Sequence, residues 1–384
     1  MNNNKNIVVG AGLSGAVTAN LLATKFNEEV LVLDRREHVA GNMYDYVEDG
    51  INVSKYGAQV FHTNNEQVWE YVQKFADFNT YMHKRAAFID GIEVIMPFNL
   101  NTVHGIFPEI LANKLEKRLL SYFVYDQFVS IAELKQTEDE ALNFLAEYLY
   151  RKTSPKCLAA QKDVERNDSD VVNTPIIHIS VDNRFFKDTY QGMPHAGYTS
   201  MIEKMLRHPN IKVHMNTDYQ QFLSDTTEKF KRTFYTGSID EFFGYQFGVL
   251  PYQSQRFKFE KHDNKKFFQS NAIVEYPYNY DFVAIHEFKH YYKNSPQCKK
   301  QCRIPKTIIA KEYREDFSVN QQKEQRGERS YPVVNNASRE LFNKYSEHAG
   351  HLKNVFFLGH LGDFQPYSLD EAVLRATEVV NSLQ

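Results

Sequence analysis

Cysteine and tryptophan are scarce in this chain of 384 residues, which has three of the first and one of the second. Cys157, Cys298 and Cys302 are too few for a disulfide framework, so a reduced, cytoplasmic setting is expected. Cys298 and Cys302 taken with His290 lack the spacing of a standard zinc site, and no metal is expected. Charge of one sign is not in excess either, the formal net charge being -3. That argues against nucleic acid and against a membrane surface as partners, since both need a basic excess or patch. No apolar run reaches the ~18 residues of a membrane span. The leading MNNNKN has no apolar core of the kind a signal peptide carries. What the chain does have is aromatic rings, 24 tyrosines and 29 phenylalanines. Phenols in that number suit sugar or base recognition as well as a core.

The length allows two or three domains. Residues 6–24, NIVVGAGLSGAVTANLLAT, read as strand, glycine turn and helix, and EVLVLDRRE (29–37) as a second strand. EQVWEYVQKF (66–75) has helical spacing, and helical patterns dominate from about 100 to 150, with Leu142, Leu145, Ala146 and Leu149 on one face. A break at 168–175 precedes the short segments IIHISV, IKVHM, RTFYTG, SQRFKFE, AIVEY, VAIHEF and KTIIAKEY, which suit an antiparallel sheet. Between them GYTSMIEKMLRH (197–208) reads as a helix, and QQKEQRGERS (321–330) as a solvated loop. NVFFLGHLGDF reads as a strand running into a loop, and LDEAVLRATEVVNSL as a closing amphipathic helix.

Gly10-Ala-Gly12-Leu13-Ser14-Gly15 follows the first strand and opens the helix. The first glycine makes the turn, the second lets the backbone approach a pyrophosphate, and the third lets helix pack on strand. Asp34 ends the second strand where it can accept both ribose hydroxyls. FAD is preferred to NAD because Arg35-Arg36-Glu37-His38-Val39-Ala40-Gly41-Asn42 runs straight on from the strand, as in flavoproteins that bury an extended cofactor. NVFFLGHLGD has the form by which such proteins return a late segment to the flavin.

GAGLSGAV, LDRREHVAGNMY, KYGAQVFHTNN, MPFNLNTVH, DNRFFKDTYQGMPHAGYTSMIEKML, YTGSIDEFF and NAIV, in that order, resemble the bacterial UDP-galactopyranose mutase family over nearly the whole chain. The resemblance implies an α/β fold: a Rossmann-like FAD-binding domain (1–75, 197–245 and 335–384), an inserted helical domain (76–165) and an antiparallel β-sheet domain (166–196 and 246–334). It also implies a homodimer acting on a nucleotide-linked sugar in making cell-surface polysaccharide. In the reaction, reduced flavin N5 attacks the anomeric carbon, the nucleotide diphosphate leaves, and the sugar opens and recloses.

By the same resemblance the cofactor meets Gly10, Gly12, Leu13, Ser14, Gly15, Asp34, Arg35, Asn42, Gln59, Val60, Gly359, Leu369 and Asp370. His62 is taken as a residue at the flavin edge. His83, Phe186, Tyr190, Asn271, Tyr331 and Tyr367 are assigned to the substrate, with His178, His360, Tyr331 and Tyr367 joining His62 as catalytic candidates.

The departures concern the diphosphate. Where the family carries arginines, this chain has His178, Ala284 (before Glu287) and His360, and the family's Tyr-Thr-x-x-Gln-Trp-Gly motif has no counterpart in RKTSPKCLAA. Histidine is shorter than arginine and only partly charged at neutral pH, so any replacement would act best when protonated. Arg151, Lys152, Lys156 and Arg184 are the candidates to compensate. Two other readings stay open: a flavin oxidase or dehydrogenase of amine-oxidase type, and a cofactor-binding relative without activity. DTYQGMPHAGYTSMIEKML with YTGSID favours the mutase.

Overall fold

The computed structural model describes residues 5–153, 176–293, 299–319 and 327–383. The first strand (Lys5–Val9), helix (Leu13–Lys25) and second strand (Glu29–Leu33) form as the glycine motif requires. They start a five-stranded parallel sheet whose order is Ile211–His214, Glu29–Leu33, Lys5–Val9, Thr233–Tyr235, Val355–Phe357. Side chains alternate between its two faces. Val8, Val30, Val32 and Phe234 pack into the main core with the helices Leu13–Lys25, Gly197–Leu206 and Leu369–Asn381. Ile7, Leu31 and Leu33 point the other way, onto Tyr219 and Tyr235. With both faces covered, the inner strands read as continuous apolar runs.

IKVHM and RTFYTG, expected in an antiparallel sheet, are therefore parallel strands of this one. Ile211–His214 is the edge, with Ile211 buried but Lys212 and His214 exposed, so it alternates like a strand with one wet face.

A seven-stranded sheet runs Glu328–Pro332, Tyr252–Asp263, Lys306–Asp316, Ala284–Glu287, Ile273–Glu275, Arg85–Ile89, Ile92–Met96. Its pairings are antiparallel except for Ile273–Glu275 beside Arg85–Ile89. Two expectations are corrected here. Glu328–Pro332 is an edge strand with Arg329 and Ser330 buried, so the solvated loop expected over 321–330 gives way to a strand at Glu328. The hairpin of Arg85–Ile89 and Ile92–Met96 falls inside the segment read as helical, yet it joins this sheet.

The helices Leu100–Ile106, Glu109–Tyr122, Ile131–Gln136 and Glu140–Thr153 build a separate core around Leu115, Leu119, Leu142, Leu145 and Leu149. Asn99 and Ser130 start two of them with reciprocal capping boxes. Ile176–His178 pairs with Phe98–Asn99 and Phe128–Ser130 and sends Ile177 into that core, so it belongs with the helices and not with the long sheet. After Val355–Phe357, where a loop was expected, comes one helical turn, Gly359–Gly362. Finally, the strand Phe61–Thr63 pairs antiparallel with Tyr190–Gly192, which joins KYGAQVFHTNN to DTYQG. Among the described residues no helix is long and apolar enough to cross a membrane.

Candidate functional site

A cleft of about 490 Å³ is walled by the C-terminal ends of the parallel strands on one side and by the long sheet on the other. At the parallel-sheet end the glycine turn sets its shape. Gly10 sits at φ +104°, and a Cβ there would meet Thr236 Oγ1 at 2.1 Å. A Cβ on Gly15 would meet the Gly10 carbonyl at 1.9 Å, which is why helix and turn can touch. Gly12 differs, since its Cβ would have only Gly41 Cα, at 3.8 Å, within reach. The helix it opens has no side-chain cap, so its first N–H groups are left to the cleft. That is a cradle for a pyrophosphate. Asp34 is buried beside it, accepting from the Ala11 N–H at 2.8 Å and the Arg36 N–H at 2.9 Å, and each oxygen keeps a lone pair. The Arg36 guanidinium lies 4.8 Å from the Tyr56 ring and donates to Asn42 Oδ1 and Glu328 Oε2, both at 2.9 Å. The late glycine closes the cradle: Gly359, at φ +82°, lies so close that a Cβ would be 2.9 Å from Ser14 Oγ.

The far end is aromatic. His62 stacks on Phe186 with ring centroids 3.7 Å apart, and its Nδ1 is 2.6 Å from Asp188 Oδ2. A carboxylate can only accept here, so Nδ1 carries a proton and donates it to Asp188. His83 is buried against Phe186 and Phe185, and its pKa is driven well below the ordinary histidine value by burial, then by the charge on Arg85. Burial likewise pushes the His360 imidazole down to about 4, and its Nδ1 accepts the Tyr367 N–H at 2.9 Å. Tyr331 meets the His360 ring edge-on, with centroids 5.3 Å apart. The Tyr367 hydroxyl donates to Asp363 Oδ2 at 3.1 Å, and burial with that carboxylate pushes its pKa up to about 12. Arg375 holds Asp363 through two nitrogens, at 3.0 and 2.8 Å.

Of the residues singled out in the sequence, the cleft wall brings together Gly10, Gly12, Leu13, Ser14, Asp34, Arg35, Asn42, Gln59 and Val60 with Gly359 and Leu369, and also includes His62, His83, Phe186, Tyr331, His360 and Tyr367. Gly15, His178, Tyr190, Asn271 and Asp370 are not in it. Gly15 works from beneath the turn. His178 is 1% exposed, stacked on Phe128 and bonded to Asp126 Oδ1 at 2.8 Å. Tyr190 stacks on Trp69 at 5.5 Å, Asn271 donates to Glu93 Oε1 at 3.2 Å, and Asp370 accepts from Ser368 at the start of the last helix.

The proposed compensating cations are also elsewhere: Arg151 pairs with Glu147, Lys152 with Asp90 and Arg184 with Asp182, while Lys156 lies outside the described residues. Sequence reasoning missed Arg85 and Arg329 in the wall, and Asp188 behind His62. Asp188 stands inside the quoted DTYQG motif; Arg85 and Arg329 sit in strands whose positions were misread. Cys157 and Cys298 lie outside the described residues, among which no group of three or more His, Cys, Asp or Glu residues is placed to hold a metal.

A family model described as UDP-galactopyranose mutase matches residues 159–366, and one described as an NAD(P)-binding Rossmann-like domain matches residues 8–75. A probable UDP-galactopyranose mutase of Klebsiella pneumoniae is 30% identical, the match covering 99% of this chain and 96% of that protein. The dTDP-fucopyranose mutase of Escherichia coli is also 30% identical, over 98% and 97% of the two chains. In fold the chain is similar to a crystal structure of reduced UDP-galactopyranose mutase, with a TM-score of 0.66 at 14% identity, covering 99% of this chain and 95% of the other.

Proposed function

We propose that this chain, which belongs to the UDP-galactopyranose mutase family, uses FAD to interconvert the pyranose and furanose forms of a nucleotide-linked sugar. The observation that carries the reading is the continuity of one cleft from the glycine cradle to the wall of His62, His83, Phe186 and Tyr331. A dinucleotide cofactor lying on the cradle would present its reactive end to that wall. The cradle fits the pyrophosphate of FAD through the open backbone at Gly12 and the uncapped helix start, and its ribose through Asp34. When bound and reduced, FAD supplies a nucleophilic nitrogen for the anomeric carbon with no net change of redox state.

The chain's own groups bind and orient. Asp188 fixes the orientation of the His62 ring in the cleft wall. Phe185 and Phe186 wall the reacting end off from water, and Tyr331 offers a phenol that donates as a neutral hydroxyl. The reading further takes the protein as a cytoplasmic homodimer serving cell-surface polysaccharide synthesis, which family likeness supports.

The relatives' names span two nucleotides and two sugars, so the substrate is sought in both series. The test incubates the reduced protein with UDP- and dTDP-linked pyranoses and separates furanose products by chromatography. A furanose product from at least one of them is expected. An oxidised sugar, or unchanged pyranose from every member of the panel, would refute the proposal.

A further inference from the structure

The three family arginine positions leave a chemical gap at the substrate's diphosphate. Ala284 is buried within the long sheet, opposite Glu312. His178 lies outside the cleft, and His360, though in the wall, is held neutral by burial. Four arginines do line the cleft: Arg35, Arg36, Arg85 and Arg329. Arg35 and Arg36 pair with Glu241 and Glu328 around the dinucleotide cradle. Arg329 is 3% exposed, committed to Asp240 Oδ1 at 3.2 Å and the Tyr245 hydroxyl at 3.1 Å, with the Phe317 ring at 4.4 Å.

Arg85 is different. It begins the strand Arg85–Ile89, next to His83 in the aromatic wall, and its guanidinium lies 4.9 Å from the centre of the Phe185 ring. Nη2 is 2.7 Å from Glu275 Oε1 on the neighbouring strand. Its Nε is buried with no hydrogen-bond partner, although the side chain as a whole is 20% exposed and so reachable from the cleft. A buried N–H without an acceptor is costly, and a guanidinium fixed on one edge by a carboxylate presents its remaining donors in a set direction.

We propose that Arg85 is the diphosphate anchor of the nucleotide sugar, with Glu275 as its positioning residue; this rests on the nucleotide-sugar reading of the site. Because Glu275 offsets its charge, Arg85 acts through oriented N–H donors on phosphate oxygens and not through free positive charge.

The test is binding of UDP, dTDP and uridine to the purified full-length protein at pH 8, with flavin content recorded for every variant. In Arg85→Gln the dissociation constant for UDP or dTDP, whichever binds the unaltered protein, rises at least tenfold, while that for uridine does not change. Arg85→Lys, which keeps the charge facing Glu275 but loses the fork, falls between the two and controls for unfolding. Arg184→Gln, paired with Asp182 away from the cleft, leaves all three values unchanged. Unaltered diphosphate binding in Arg85→Gln overturns the assignment and leaves the nucleotide-sugar reading intact. Loss of flavin in both Arg85 variants also overturns it, giving Arg85 to the cofactor. If the unaltered protein binds neither diphosphate, the nucleotide-sugar reading itself fails.

Discussion

At the scale of residues, the histidines decide how the site responds to pH. His62 owes its orientation to Asp188, and His83 and His360 owe their neutrality to burial. The pKa of His360 falls from 6.5 to about 4 in the folded protein. A lowered value means that folding favours the neutral ring; the contribution is present above 6.5 and is lost as pH falls through 6.5 toward 4. Between pH 8 and 6 His360 therefore gains no charge, and His178 is not in the cleft at all. The sequence alone suggested affinity rising on acidification through these two residues, and the structure removes the groups that would cause it. The dissociation constant of a UDP-sugar, which has no terminal phosphate to titrate in that range, should stay flat from pH 8 to 6. Affinity climbing steadily as pH falls would put a protonating histidine in the clamp. None of this was legible beforehand, because burial of single side chains has no sequence signature.

At the scale of elements, the glycine turn was readable because each glycine answers a separate steric demand at fixed spacing. Its third member gives a sharp expectation. A Cβ at Gly15 would lie 1.9 Å from the Gly10 carbonyl, so Gly15→Ala must push helix from strand. Overpacking of this kind costs about 1–3 kcal/mol. The variant should melt at a lower temperature and retain less cofactor, measured by thermal denaturation and by flavin absorbance; a variant as stable and as yellow as the parent would contradict the packing described here. The short strands were harder. Ile211–His214 looked antiparallel because it is an exposed edge, and Glu328–Pro332 looked like a loop because its buried Arg329 reads as polar when its partner Asp240 is 89 residues away in sequence. Periodicity reports one face of one strand, and it cannot see which strand lies beside it.

At the scale of the whole molecule, the parallel sheet and the long sheet meet at one cleft, and segments distant in sequence build its wall. The Gly10 turn, the Gly359 return and the strand bearing Tyr331 come from opposite ends of the chain. Motif order revealed the architecture in outline, whereas the arginines of the wall had to wait for the tertiary arrangement. The central claim is that this cleft runs a redox-neutral isomerisation that nonetheless depends on a reduced cofactor. Its most direct test is an electron balance on a nucleotide-linked pyranose that the panel shows to be accepted, under anaerobic conditions, with NADPH as the only reductant. The account predicts furanose product in large excess over NADPH oxidised, and none from the air-oxidised protein. One NADPH consumed for each product formed would contradict it.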